Sequence, residues 1–147
     1  MVRVNNKRHG LSVISTVTNK GQMRWRIFDG ALNTNILIDF LRRLIKGARK
    51  KLFLILDNLN VHMAKAVREW LDEHPDHIAV FYLPPYSPEL KPSEYFNGDL
   101  KGAIQRGIPP KDVEELKRTM LSHSRRIQKS PARVRAYFKN RHIRYAA

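Results

Sequence analysis

The chain has 147 residues, with 28 Lys and Arg against 13 Asp and Glu, a formal net charge of +15. One domain is the expectation at this length, and a hydrophobic content of 42% is too high for a disordered basic tail. The absence of cysteine excludes a disulfide framework and a thiolate zinc site. The longest apolar run, residues 52–56, is far short of a membrane span. These exclusions leave a soluble intracellular protein with an acidic partner, of which nucleic acid is the commonest.

In chain order, residues 11–17 are β-branched and loosely alternating, which predicts a strand. Residues 19–22 form a turn with Gly21 available for positive φ. Residues 23–28 alternate strictly and predict the return strand, ended by Asp29-Gly30. Asn33 or Thr34 can cap a helix that runs to Lys46, with Gly47 as its stop. Residues 51–56 are apolar without a polar face, as in a central strand buried on both sides. Residues 62–74 predict a helix with Ala66, Val67, Trp70 and Leu71 inward, and residues 78–83 another buried strand. A stiff proline-rich loop, residues 84–92, leads into a helix that starts at Pro92 and reaches Gln105. Basic helices follow from about residue 110, the first with Val113, Leu116, Met120 and Ile127 as its buried stripe. Pro131 opens the last, to about Asn140. No repeat and no domain boundary is evident.

The charge is unevenly placed. Residues 1–57 carry +9, residues 58–100 carry −4 and residues 101–147 carry +10. In the acidic middle, Glu69, Asp72, Glu73 and Asp76 read as the solvated face of one helix. Two other acids are better placed for chemistry. Asp57 follows a strand at its C-terminal end, the sheet edge where open α/β sheets bind ligands; it could equally cap the next helix. Glu94 stands in the first turn of a helix, which also suits the helix dipole. Together, a strand-end Asp and a helix-start Glu could share hard divalent cations. Two such ions clamp the attacking and leaving oxygens of a phosphodiester.

Leu54-Ile-Leu-Asp-Asn-Leu-Asn-Val-His62 resembles the second-aspartate motif of DDE transposases. Tyr82-Leu-Pro-Pro-Tyr-Ser-Pro-Glu-Leu-Lys-Pro-Ser-Glu-Tyr-Phe-Asn-Gly-Asp-Leu-Lys101 resembles their glutamate motif, with Glu94 37 positions after Asp57 as in the mariner-like branch of bacterial insertion sequences. The ending, with Arg133-Val-Arg-Ala-Tyr-Phe and Ile143-Arg-Tyr-Ala-Ala147, is similar as well. The resemblance covers essentially the whole chain. It implies an α/β, ribonuclease-H-like mixed sheet with flanking helices. It also implies catalytic metal ligands at Asp57 and Glu94, Mg²⁺ or Mn²⁺ as cofactor, and DNA cleavage and transfer of an insertion sequence. A bacterial, cytoplasmic, nucleoid-associated setting follows from the same likeness.

The resemblance also defines what is missing. The family has three carboxylates, the first on a strand ahead of the hairpin. Residues 1–10 hold no acid. The expectation is therefore a single catalytic domain over residues 1–147, N-terminally incomplete and lacking its first strand and first carboxylate. Such a chain would be a frameshifted reading frame, a truncated remnant or one half of a two-chain enzyme. Its partners would be transposon-end and target DNA, an upstream transposase fragment or a second copy. Asp29 and Asp39 are the only other upstream acids, and the family pattern gives neither a place in the site.

The remaining residues keep two readings each. Asn58 could position a water or phosphate, and His62 could orient a ligand or open a helix. Lys91 stands where the family has a capping Asn; it either forgoes the cap, at roughly 0.5–2 kcal/mol, or meets a DNA phosphate. Trp25 reads as a sheet-face aromatic rather than a base-stacking one. Arg125, Arg126, Lys129, Arg133 and Arg135 form a basic C-terminal cluster suited to phosphate contacts, which position DNA without reading it. The alternative to an enzyme is an inactive DNA-binding remnant that interferes with the full-length protein. A basic ribosomal-type RNA-binding protein would have no reason to keep Glu94 and the proline-rich loop at this distance from Asp57.

Overall fold

The computed structural model describes residues 2–6, 9–56, 64–84, 92–139 and 143. The chain divides into two compact units, residues 1–31 with 92–147, and residues 32–91.

The first unit joins an antiparallel sheet to the C-terminal helices. Its strands are β1 (Val2–Asn6), β2 (His9–Val17) and β3 (Met23–Asp29), in the order β1-β2-β3. The hairpin register runs from Leu11 opposite Asp29 to Val17 opposite Met23. Thr18 closes the turn: its carbonyl accepts from the Gly21 amide at 3.0 Å and its hydroxyl from the Gln22 amide at 3.1 Å. Gly21 has φ +90°, and a Cβ there would lie 2.5 Å from the Pro131 carbonyl oxygen, so the turn requires glycine twice over.

β1 corrects one expectation, because a strand does precede the hairpin. It pairs antiparallel with β2, from Val2 opposite Val13 to Asn6 opposite His9. The pairing satisfies backbone groups that β2 would otherwise leave open on that edge. Val2 and Val4 favour extended backbone, and no residue of β1 is an acid.

Three helices complete this unit: α3 (Ser93–Arg106), α4 (Val113–Gln128) and α5 (Pro131–Ala136), the last followed by a 3₁₀ turn, Tyr137–Lys139. The expected single helix to Asn140 is thus shorter and tightens at its end. Asp112 caps α4, its carboxylate accepting from the Glu115 amide at 2.8 Å. Leu116, Met120 and Ile127 are fully buried, as the stripe predicts. They share one core with Leu11, Val13, Met23, Phe96, Leu100, Val134 and Ile143. Gln128 ties helix to sheet by donating to the Met23 carbonyl at 2.9 Å. Trp25 packs against this core from β3, as a sheet-face aromatic.

The second unit is β4 (Leu52–Leu56) and β5 (Ile78–Tyr82), paired in parallel, with helices α1 (Thr34–Lys46) and α2 (Lys65–Asp72). Asn33 caps α1, accepting from the Ile36 amide at 2.9 Å, and Gly47 ends it. Leu37, Phe40, Leu41, Val67, Trp70 and Ile78 are its buried apolar residues. Ala66, expected inward, is exposed, while Glu69, Asp72, Glu73 and Asp76 are solvated as expected. The two strands are not buried on both faces: Phe53 is 69% and Phe81 56% exposed. Continuous apolarity does not report how many faces of a strand are covered.

Candidate active site and nucleic-acid interface

Glu94 is the candidate catalytic residue that the structure describes. It lies in the first turn of α3, half-buried. Pro92, expected as the first helical residue, is the N-cap and makes no side-chain cap bond. The Tyr95 amide instead donates to the Pro92 carbonyl at 3.1 Å. The helix is rotationally fixed by Phe96 and Leu100, both fully buried and four residues apart on one face.

Asp57, Asn58, His62 and Lys91 lie outside the described residues. Asp57 follows β4 directly in sequence, and β4 ends at Leu56. Among the described residues no group of three or more His, Asp or Glu side chains could hold a metal ion. The donor chemistry of Glu94 fits a hard cation such as Mg²⁺, which takes oxygen ligands and keeps several waters. One carboxylate does not by itself make a metal site. Of the other upstream acids, Asp29 is exposed at the end of β3 and Asp39 pairs with Arg43 at 3.3 Å along α1.

The basic cluster is spread over two helices and the junction between them. Arg125 and Arg126 occupy the last turn of α4, Lys129 is its C-cap, and Arg133 and Arg135 lie on α5; all five are exposed. Two of them have structural partners. Arg133 meets the Asp99 carboxylate at 3.5 Å, and Arg135 donates to the Lys20 carbonyl at 3.4 Å. Asp99 also accepts a 2.5 Å hydrogen bond from the Tyr137 hydroxyl. Burial, and then that bond, push the Tyr137 hydroxyl well above the usual phenol range, so it stays a neutral donor.

Sequence reasoning passed over three buried polar side chains of this unit. Asn97, His123 and Ser124 each have side-chain atoms without a hydrogen-bond partner among the described residues. The His123 imidazole is pushed below its ordinary range, first by burial, then by Arg133. The signal available was the spacing of α4, whose apolar stripe is interrupted at residues 123 and 124, between Met120 and Ile127.

The chain belongs to the DDE superfamily endonucleases, whose family pattern it matches over residues 2–117. It is similar in structure to the catalytic domain of Mos1 mariner transposase, at 17% identity and a TM-score of 0.65, over 99% of this chain and 78% of that one. It is also similar to Mos1 transposase in a paired-end complex with the left transposon end, at 18% identity and a TM-score of 0.55. That match spans 92% of this chain and 46% of the other. At these identities the likeness is one of fold, an α/β, ribonuclease-H-like architecture with flanking helices. No curated protein matches the chain. No described helix is long and apolar enough to cross a membrane.

Proposed function

We propose that residues 1–147 act as the catalytic domain of a mariner-like insertion-sequence transposase, with Asp57 and Glu94 as two of its three metal-binding carboxylates. The observation that carries this is Glu94 at the head of α3, anchored by Phe96 and Leu100, within the span that matches the endonuclease family. Divalent Mg²⁺ or Mn²⁺ held there would supply positive charge at the attacked phosphodiester. The chain's own part is to supply two carboxylate ligands. Asn58 and His62 position groups beside Asp57. Lys91 and the basic cluster at Arg125, Arg126, Lys129, Arg133 and Arg135 steer and hold the DNA backbone, in transposon ends and target alike. Such binding weakens steeply with salt.

The third carboxylate comes from outside these residues. No acid precedes Asp29, and β1 carries none. An upstream transposase fragment would contribute it. The rival reading, an inactive DNA-binding remnant, draws on the same missing acid and separates from this one on metal.

The test is Mn²⁺ binding by the wild-type chain, Asp57→Ala and Glu94→Ala, followed by a strand-cleavage assay on transposon ends. Wild type is expected to bind Mn²⁺ and each variant to lose at least about tenfold in affinity, as for removal of a metal-site partner. Equal binding by all three proteins favours the remnant. Robust cleavage by this chain alone would show that the first carboxylate lies within residues 1–147.

A further inference from the structure

A groove of 510 Å³ opens along α4 on the side of α3, within the first unit. Its donors come from one face of α4: Arg118, Ser122 and Arg126, with His123 beneath them; the Thr119 hydroxyl, also in the lining, donates to the Glu115 carbonyl at 3.1 Å. Arg118, Ser122 and Arg126 are four residues apart, so their side chains stack along that face. Two guanidinium groups thus flank the Ser122 hydroxyl. Guanidinium suits phosphate because its N–H groups can engage two oxygens at once. The opposing charge in the lining is Glu115, whose carboxylate accepts from the Lys111 amide at 3.4 Å, towards the start of the helix.

His123 is the second, independent observation. It is 8% exposed, it lines the groove, and its Nε2 has no partner among the described residues. An unpaired polar atom in such a place costs about 1–3 kcal/mol. Burial first, and then Arg133 on α5, disfavour its proton; Asp99 of α3 opposes them, and Arg126 on the same helix and Arg106 on α3 add to the cationic side. A bound anion would reverse that balance, with the imidazole as a further donor.

We infer that this groove is a phosphate-binding site, recognising a phosphate group either in a nucleic-acid backbone or as the free ion. The backbone source rests on the transposase reading above, while the affinity for phosphate itself does not. Glu94 is not among the residues that line the groove, and Arg126 is the member it shares with the basic cluster.

The test is a titration of the isotope-labelled full chain with inorganic phosphate and, separately, with a short DNA duplex of arbitrary sequence. Saturable movement of the Arg118 and Ser122 amides and the His123 ring is expected, together with a rise in the His123 titration midpoint. Both are lost in the double variant R118Q/R126Q, whose two sites are exposed, so the fold is retained. If the duplex is the ligand, the double variant also flattens the salt dependence of binding by about one contact's worth, a slope change near 0.9. Movement with the duplex alone assigns the groove to the DNA backbone. Movement with phosphate alone assigns it to the free ion, and the transposase reading is then judged by Mn²⁺ binding. No saturable movement with either probe, or the same movement in R118Q/R126Q, overturns the inference.

Discussion

Of the two sheets in this chain, the one built from the more apolar strands is the more exposed. In the first unit, β2 and β3 place Leu11, Val13 and Met23 at 3% exposure or less, against α3, α4 and α5. In the second, β4 and β5 carry Phe53 and Phe81, both mainly exposed, stacked on each other at 6.4 Å with the Lys51 ammonium 5.9 Å from the Phe53 ring. Apolar content therefore does not decide which sheet is a core. The number of helices folded back onto each strand does, and the first unit gathers those helices from a segment more than sixty residues away in sequence.

The largest expected effect tests the densest part of that contrast. Met120→Ala removes a fully buried side chain from the centre of the first unit. It should destabilise by about 2–5 kcal/mol, read as a shift of the denaturant midpoint. A loss below about 1 kcal/mol would mean that the core around α4 collapses to fill the space. Tyr137→Phe comes next. It deletes a donor to Asp99 and keeps the ring stacked on Tyr95. Hydrogen bonds to charged groups contribute about 1.5–3 kcal/mol, and Arg133 remains as a second partner, so the lower end is expected. If Tyr137→Phe is neutral, Arg133 alone holds the Asp99 junction.

Phe53→Ala sharpens the comparison from the other side. At 69% exposure the ring has little burial to lose. Loss of its stacking on Phe81 sets the scale, at about 0.5–1.5 kcal/mol. Unfolding of Phe53→Ala beside Met120→Ala under the same conditions checks it. A cost equal to that of Met120→Ala would show that the β4–β5 face is covered in solution.

Much of this was legible in residue order, and the exceptions share a cause. The hairpin, the Asn33 cap and the Leu116–Met120–Ile127 stripe are local patterns, and local patterns survive in sequence. The same holds for Glu94, whose place in a first turn follows from Pro92 and the run after it. What escaped depends on distant segments. β1 forms only because β2 offers an edge. The exposure of Phe53 and Phe81 depends on what lies over a sheet. The pairs Gln128 with Met23 and Tyr137 with Asp99 join residues 105 and 38 positions apart. His123 and Ser124 interrupt the α4 stripe between Met120 and Ile127, and period alone does not say whether such a polar pair is buried.

The smallest expected effect comes from that last group and separates the two units by pH. In the folded chain the His123 imidazole takes up a proton only below its ordinary value of 6.5, because burial and then Arg133 oppose the charge. Between that value and the lower folded one, the unfolded chain binds the proton first. His123 therefore contributes stability that is fully present above about pH 6.5 and is lost as the pH falls through the folded midpoint. His123→Gln removes the titration and keeps a polar side chain. Its denaturant midpoint should fall less than that of wild type between neutral and mildly acidic pH, with the difference confined to amide protection in α3, α4 and α5. Parallel pH profiles for the two proteins would mean that folding leaves the proton affinity of His123 unchanged.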